Sequence, residues 1–163
     1  EQGAVLSLDV KRGVPFEKVI AQVEQHQAED NVVIITYSVG AARRVYELNP
    51  RLMISVGIRS EEALQRHLTA GIPPRNMIAF VGVSEAAPGL YDKLHAQGIS
   101  CILGTMGNLD NKAIAVGDQL YRQLIESGAD ILATDRPIEA AEAIAPLLPE
   151  EGKASSFWKE RKK

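Results

Sequence analysis

Six short runs dominated by apolar and β-branched residues recur along the chain, at 4–10, 32–37, 53–58, 77–81, 100–103 and 131–134. Runs of this length with little polar interruption predict strands covered on both faces. Between them the apolar residues fall at helical spacing: Phe16, Val19, Ile20 and Val23, then Ala63, Leu64 and Leu68, then Leu120, Leu124 and Ile125. Each set gives a helix one apolar stripe. Three of these stretches stop at a glycine just ahead of the next strand, at Gly71, Gly98 and Gly128, where a left-handed cap is expected. Strict alternation of strand and helix predicts the α/β class, a parallel sheet and right-handed crossovers. Two architectures satisfy that rhythm. An open doubly wound sheet is complete with six strands, whereas a (β/α)8 barrel needs eight and typically ~250 residues.

Composition narrows the class without changing it. The 163 residues are 45% apolar and 24% charged, ordinary globular usage. Nothing resembling a linker interrupts residues 1–148, which read as one domain; the polar stretch from Pro149 to Ser156 opens a C-terminal extension, 149–163, with Phe157 and Trp158 as its anchors. Net charge is -3, and the basic cluster Lys159, Arg161, Lys162 and Lys163 is confined to that tail, which argues against a nucleic-acid surface. No apolar run approaches the roughly 18 residues of a membrane span. The sequence starts at Glu1 and carries no signal pattern, so a processing or truncation boundary is expected there. No feature selects a periplasmic or secreted location over a cytoplasmic one.

The single cysteine, Cys101, lies in an apolar run, which predicts a packed strand residue and not a nucleophile. Histidines occur at 26, 67 and 95, all in helix-period stretches, and are expected on exposed or half-buried helix faces. No Ser/His/Asp arrangement, close histidine pair or glycine-rich phosphate loop can be drawn.

Chemistry in this fold class collects at the carboxyl ends of strands. The first run ends Leu6-Ser-Leu-Asp-Val-Lys11, so Asp9 and Lys11 share a strand face. A carboxylate beside an ammonium can hold a divalent cation and a phosphate oxygen together; the structural alternative is a surface salt bridge. Ser38, Ser60 and Asn108 follow strand ends and are expected to cap helices or bond within loops. In Ala133-Thr-Asp-Arg-Pro137, Asp135 is expected to cap the next helix and pair with Arg136, with Pro137 at its first turn.

Leu6-Ser-Leu-Asp-Val-Lys11, Val33-Ile-Ile-Thr-Tyr-Ser38, the following Ala42-Arg-Arg-Val-Tyr-Glu-Leu-Asn-Pro50 and, most specifically, Gly128-Ala-Asp-Ile-Leu-Ala-Thr-Asp-Arg-Pro137 resemble the glycerophosphodiester phosphodiesterases. The resemblance runs from about Val5 to Leu148. It implies a (β/α)8 barrel of the phospholipase-C-like type with about six of its eight units present, and lipid-metabolic hydrolysis of a small-molecule glycerophosphodiester to glycerol 3-phosphate and an alcohol. By the same resemblance Asp9 is a ligand of Ca2+ or Mg2+, standing where the family has glutamate, and Lys11 is the catalytic and phosphate-binding lysine. Met106 and Asn108 are substrate-binding. The family's His-Arg-Gly, Glu-x-Asp and His-Asp motifs do not occur in this sequence, so the chain by itself is expected to be inactive. Two unpaired strand edges would follow from six units, and dimerisation through them is expected. The rival expectation is a non-catalytic open-sheet domain that binds a partner protein or a small anion.

Overall fold

The computed structural model describes residues 4–148. The expected C-terminal extension at 149–163, with Phe157, Trp158 and the basic tail, lies outside the described residues. Six strands, β1 (Leu6–Asp9), β2 (Val32–Ile35), β3 (Met53–Gly57), β4 (Met77–Gly82), β5 (Ser100–Gly104) and β6 (Ile131–Ala133), form one sheet. Helices α1 (Phe16–Gln25), α2 (Val39–Leu48), α3 (Glu61–Thr69), α4 (Leu90–His95), α5 (Asn108–Val116), α6 (Gln119–Glu126) and α7 (Pro137–Ile144) follow them, two helices filling the gap between β5 and β6. All six expected strands are found, each boundary within two residues of the sequence reading.

Strand order decides between the two architectures. Every strand pairs in parallel with its sequence neighbour, in the order β1-β2-β3-β4-β5-β6. A doubly wound sheet reverses direction once, at the point where its ligand binds. Here there is no reversal, so right-handed crossovers place every helix on the same side. The sheet curls as the wall of a (β/α)8 barrel with six of its units.

Alternation along the strands divides the core. Leu8, Ile34, Ile54, Val56, Ala79, Val81, Cys101 and Leu103 face outward and pack with Ile20, Val45, Leu64, Leu94 and Tyr121 of the helices in the large cluster. Val33, Met53 and Ile78, joined by Val5 and Ile102, form a small separate cluster on the inner face. The outer layer is dry: Ile34, Ile54, Leu94 and Cys101 are wholly buried. At the open edge, Leu6 of β1 is 59% exposed although it is apolar.

The helix ends follow the sequence closely. Gly71, Gly98 and Gly128 all adopt the positive φ anticipated for caps. Ser38 and Ser60 cap α2 and α3, accepting from the amides of Ala41 and Ala63 at 3.1 and 3.3 Å. Asn108 makes no such bond, because Gly107 holds the N-cap position and Asn108 is already the first residue of α5. The expected cap and ion pair of Asp135 are also not formed. Arg136 occupies the N-cap of α7 and turns its guanidinium to Asp118 and Glu139 instead.

Candidate active site at the strand carboxyl ends

The site follows from the strand register. Asp9 closes β1, and the positions two residues beyond the last residue of β1, β2, β3, β5 and β6 are Lys11, Tyr37, Arg59, Met106 and Asp135. Side chains alternate along a strand, so each lies on the same face as that last strand residue, and together they rim the mouth. Asp9, Lys11, Tyr37, Arg59, Met106 and Asp135 are all exposed.

One contact crosses the rim. The Tyr37 hydroxyl donates to Asp9 Oδ1 at 3.0 Å. This bond raises the Tyr37 pKa, with burial and the carboxylate's charge adding to it, so the phenol stays a donor near neutrality. The side chains of Lys11 and Arg59 make neither a hydrogen bond nor an ion pair among the described residues. Arg59 lies along β4, and a Cβ on Gly82 would sit 3.5 Å from its Nε. Gly82 also has a φ of +124°, a backbone conformation that favours glycine. Met106 and Asn108 stand beyond β5, four strand spacings away from β1, about 19 Å measured along the sheet. Asp9 and Lys11 therefore share a rim with them but do not touch them. Sequence reasoning missed Tyr37 and Arg59 as site residues; the signal was their common offset from the strand ends.

It also missed Asp110. This carboxylate is 4% exposed in the first turn of α5. Its Oδ1 accepts from Tyr121 and Thr134 hydroxyls, both at 2.9 Å, and its Oδ2 accepts from the Asp135 amide at 2.9 Å. Burial pushes its pKa up, but hydrogen bonds from Thr105, the Asp135 amide, Thr134 and Tyr121 outweigh this and hold it below the usual value. The Arg136 amide then donates to Thr134 Oγ1 at 3.0 Å. Thr134-Asp-Arg-Pro137, the most distinctive segment of the sequence, is thus a turn locked from inside by a buried carboxylate.

The histidines take no part in the rim. His95 ends α4, at the opposite end of the strands, where its Nε2 lies 2.9 Å from Asp130 Oδ2. His26 follows α1 as its cap residue. His67 differs from the expectation of an exposed or half-buried residue: it is 5% exposed, and its Nδ1 has no partner. Its place on the inward stripe of α3, beside Ala63 and Leu64, accounts for that. Cys101 is wholly buried, and burial, reinforced by Asp130, pushes its thiol up to about 12, as its packing role requires.

Comparison with known proteins adds the decisive observation. A glycerophosphoryl diester phosphodiesterase from Parabacteroides distasonis is 34% identical, with a TM-score of 0.77 over 94% of this chain and 54% of that one. The chain belongs to the glycerophosphodiester phosphodiesterase family. Two further solved structures share the fold. One, described as a putative glycerophosphoryl diester phosphodiesterase from Silicibacter pomeroyi, is 16% identical with a TM-score of 0.64 over 88% of this chain and 50% of that one. The other, described as a putative glycerophosphodiester phosphodiesterase from Galdieria sulphuraria, is 12% identical with a TM-score of 0.65 over 86% and 56%. The chain spans about half the length of these proteins. No protein-family model matches it, and no curated protein sequence does.

Proposed function

We propose that the rim of Asp9, Lys11, Tyr37 and Arg59 is the phosphate-binding part of a glycerophosphodiester phosphodiesterase site, which hydrolyses glycerophosphodiesters to glycerol 3-phosphate and an alcohol. The observation that carries this reading is the pair of cations, Lys11 and Arg59, at the carboxyl ends of β1 and β3, whose side chains have no partner among the described residues. Lys11 offers a point charge to a phosphate oxygen, and Arg59 offers a planar fork that takes two oxygens at once. Both would strengthen their hold as charge grows on the phosphoryl oxygens in the transition state. Tyr37 keeps Asp9 in place by donating to Oδ1. Met106, 47% exposed, and Asn108 would meet the glycerol or alcohol portion on the β5 side.

A divalent cation, Ca2+ or Mg2+, belongs to the same reading through Asp9, but these residues do not fit one alone. Among the described residues, His95, Cys101 and Asp130 are the one group of three close potential ligands, and they lie at the other end of the strands. Asp9 alone falls well short of the six to eight oxygens that Ca2+ takes, and the other rim carboxylate, Asp135, follows β6 at the opposite edge of the sheet. No histidine reaches the rim either, and a positioned acid or base typically contributes 10²–10⁴-fold. The chain on its own is therefore expected to bind phosphate and not to turn over.

The test is hydrolysis of glycerophosphocholine by the natural full-length polypeptide that carries this chain. Metal-dependent release of glycerol 3-phosphate, reduced at least tenfold by Asp9→Ala, is the expected result. No hydrolysis, or unchanged activity in Asp9→Ala, would sink the proposal.

A further inference from the structure

At the amino-terminal end of the sheet, far from the rim, three side chains of different chemistry converge. His95 is the last residue of α4, Cys101 is the second residue of β5, and Asp130 immediately precedes β6. One ligand atom from each lies within 4.8 Å of the other two. Barrel enzymes place their chemistry at the opposite face, so this cluster has no part in the phosphodiester site.

Its parts are held in advance. Asp130 Oδ2 accepts from the Cys101 backbone amide at 2.7 Å and contacts His95 Nε2 at 2.9 Å. The His95 ring is stacked on Tyr91, with centroids 6.3 Å apart and 23° between the planes. Cys101 is wholly buried, while His95 and Asp130 are 39% and 40% exposed. The sulfur thus closes the inner end of the cluster, and the imidazole and carboxylate open its outer end to water.

We propose that His95, Cys101 and Asp130 form a binding site for a zinc-like divalent cation, with its fourth position open to water. The donor set of one sulfur, one imidazole nitrogen and one carboxylate oxygen suits Zn2+ and excludes Mg2+ and Ca2+, which take oxygen ligands. Charge balances as well. A thiolate and a carboxylate neutralise the dication exactly once each, and the thiol proton leaves to solvent on binding. In the free protein burial and Asp130 keep that thiol protonated; the cation would supply the opposing charge. Tetrahedral coordination at Zn–N and Zn–O of about 2.0–2.2 Å separates those ligand atoms by about 3.4 Å, so His95 must withdraw from Asp130, 2.9 Å away, by about 0.5 Å. With Zn–S of about 2.3 Å the sulfur must stand about 3.6 Å from each of the other two, from which it is now at most 4.8 Å away. The bound ion would join the end of α4 to the starts of β5 and β6.

Titration of the chain with Co2+ tests the site, because a thiolate ligand gives a near-ultraviolet charge-transfer band that oxygen and nitrogen ligands lack. A band saturating at one equivalent, displaced by equimolar Zn2+, is expected. It should vanish in Cys101→Ser and weaken at least tenfold in affinity in His95→Ala and Asp130→Asn. Zn2+ should also raise the thermal midpoint of the wild-type chain and leave that of His95→Ala unchanged. His95→Ala alters a partly exposed residue, and Asp130→Asn retains an acceptor for the Cys101 amide, so both variants are expected to fold if Cys101→Ser does not. No band at millimolar Co2+ in folded wild-type protein would overturn the proposal. So would a band of undiminished affinity in His95→Ala and Asp130→Asn.

Discussion

Replacing Asp110 by alanine should unfold the end of the barrel wall more readily than any change at the rim. The carboxylate accepts from Tyr121, Thr134 and the Asp135 amide, each at 2.9 Å. Hydrogen bonds to a charged group contribute about 1.5–3 kcal/mol each, though not additively. The variant would leave the hydroxyl of Tyr121, a wholly buried residue, without its acceptor, and likewise the Asp135 amide. A loss of about 3–5 kcal/mol is expected, a large share of the ~5–15 kcal/mol that typically stabilises a domain. Asp110→Asn keeps the shape but retains one acceptor oxygen for donors on both sides, so about 1–3 kcal/mol is expected. Asp135→Ala is the control, since only the backbone amide of Asp135 serves the turn; its cost should stay within about 0.5 kcal/mol. Urea unfolding followed by far-ultraviolet circular dichroism gives all three values. A loss under about 1 kcal/mol in Asp110→Ala, or a larger loss in Asp135→Ala, would refute the reasoning.

Four further outcomes follow from the same structure. Burial holds the His67 pKa below its ordinary 6.5, against a smaller opposite effect of the Gly57 backbone; stability is therefore complete above the unfolded value and falls as pH drops below it, and His67→Leu should flatten a plot of urea midpoint between pH 7 and pH 5. A Cβ on Gly104 would lie 3.0 Å from Val83 Cγ1 and 3.2 Å from the Gly82 carbonyl oxygen, so Gly104→Ala should cost about 1–3 kcal/mol in the same assay. The isolated chain should release no glycerol 3-phosphate above background in a coupled assay; measurable turnover would show that an acid or base has been overlooked. Light scattering should find a dimer joined through the β1 and β6 edges, and a monomeric mass at high concentration would count against that pairing.

The fold was legible because burial and local geometry wrote it into the sequence. Strands covered by helices on one side and by a barrel interior on the other need no polar face, so Val32–Ile35 and Met77–Gly82 stood out as apolar runs. Cap glycines and the serines at 38 and 60 satisfied purely local requirements, and these were readable for that reason. The order of strands was not legible in the strand-helix pattern alone, since six β/α units fit a doubly wound sheet as well as a barrel wall; the family resemblance carried by Gly128 to Pro137 favoured the barrel, and the uninterrupted pairing of neighbours bears that out. Asp110 was illegible for a different cause: an acidic residue in the first turn of a helix reads as a surface residue favoured by the helix dipole, and its true partners lie 11 to 25 positions away. Asp9 and Lys11 stood out in the sequence only as neighbours on one strand face, whereas Arg59 needed β3 and β4 side by side before its position against Gly82 could be seen.

The proposed function rests on phosphate being held between Lys11 and Arg59. Titrating the chain with glycerol 3-phosphate while following the Arg59 Nε–H by NMR tests it directly. A saturable shift of that resonance is expected, weakened at least tenfold in affinity by Lys11→Ala. Shifts confined to other arginines, or an Arg59 response unchanged in Lys11→Ala, would contradict it.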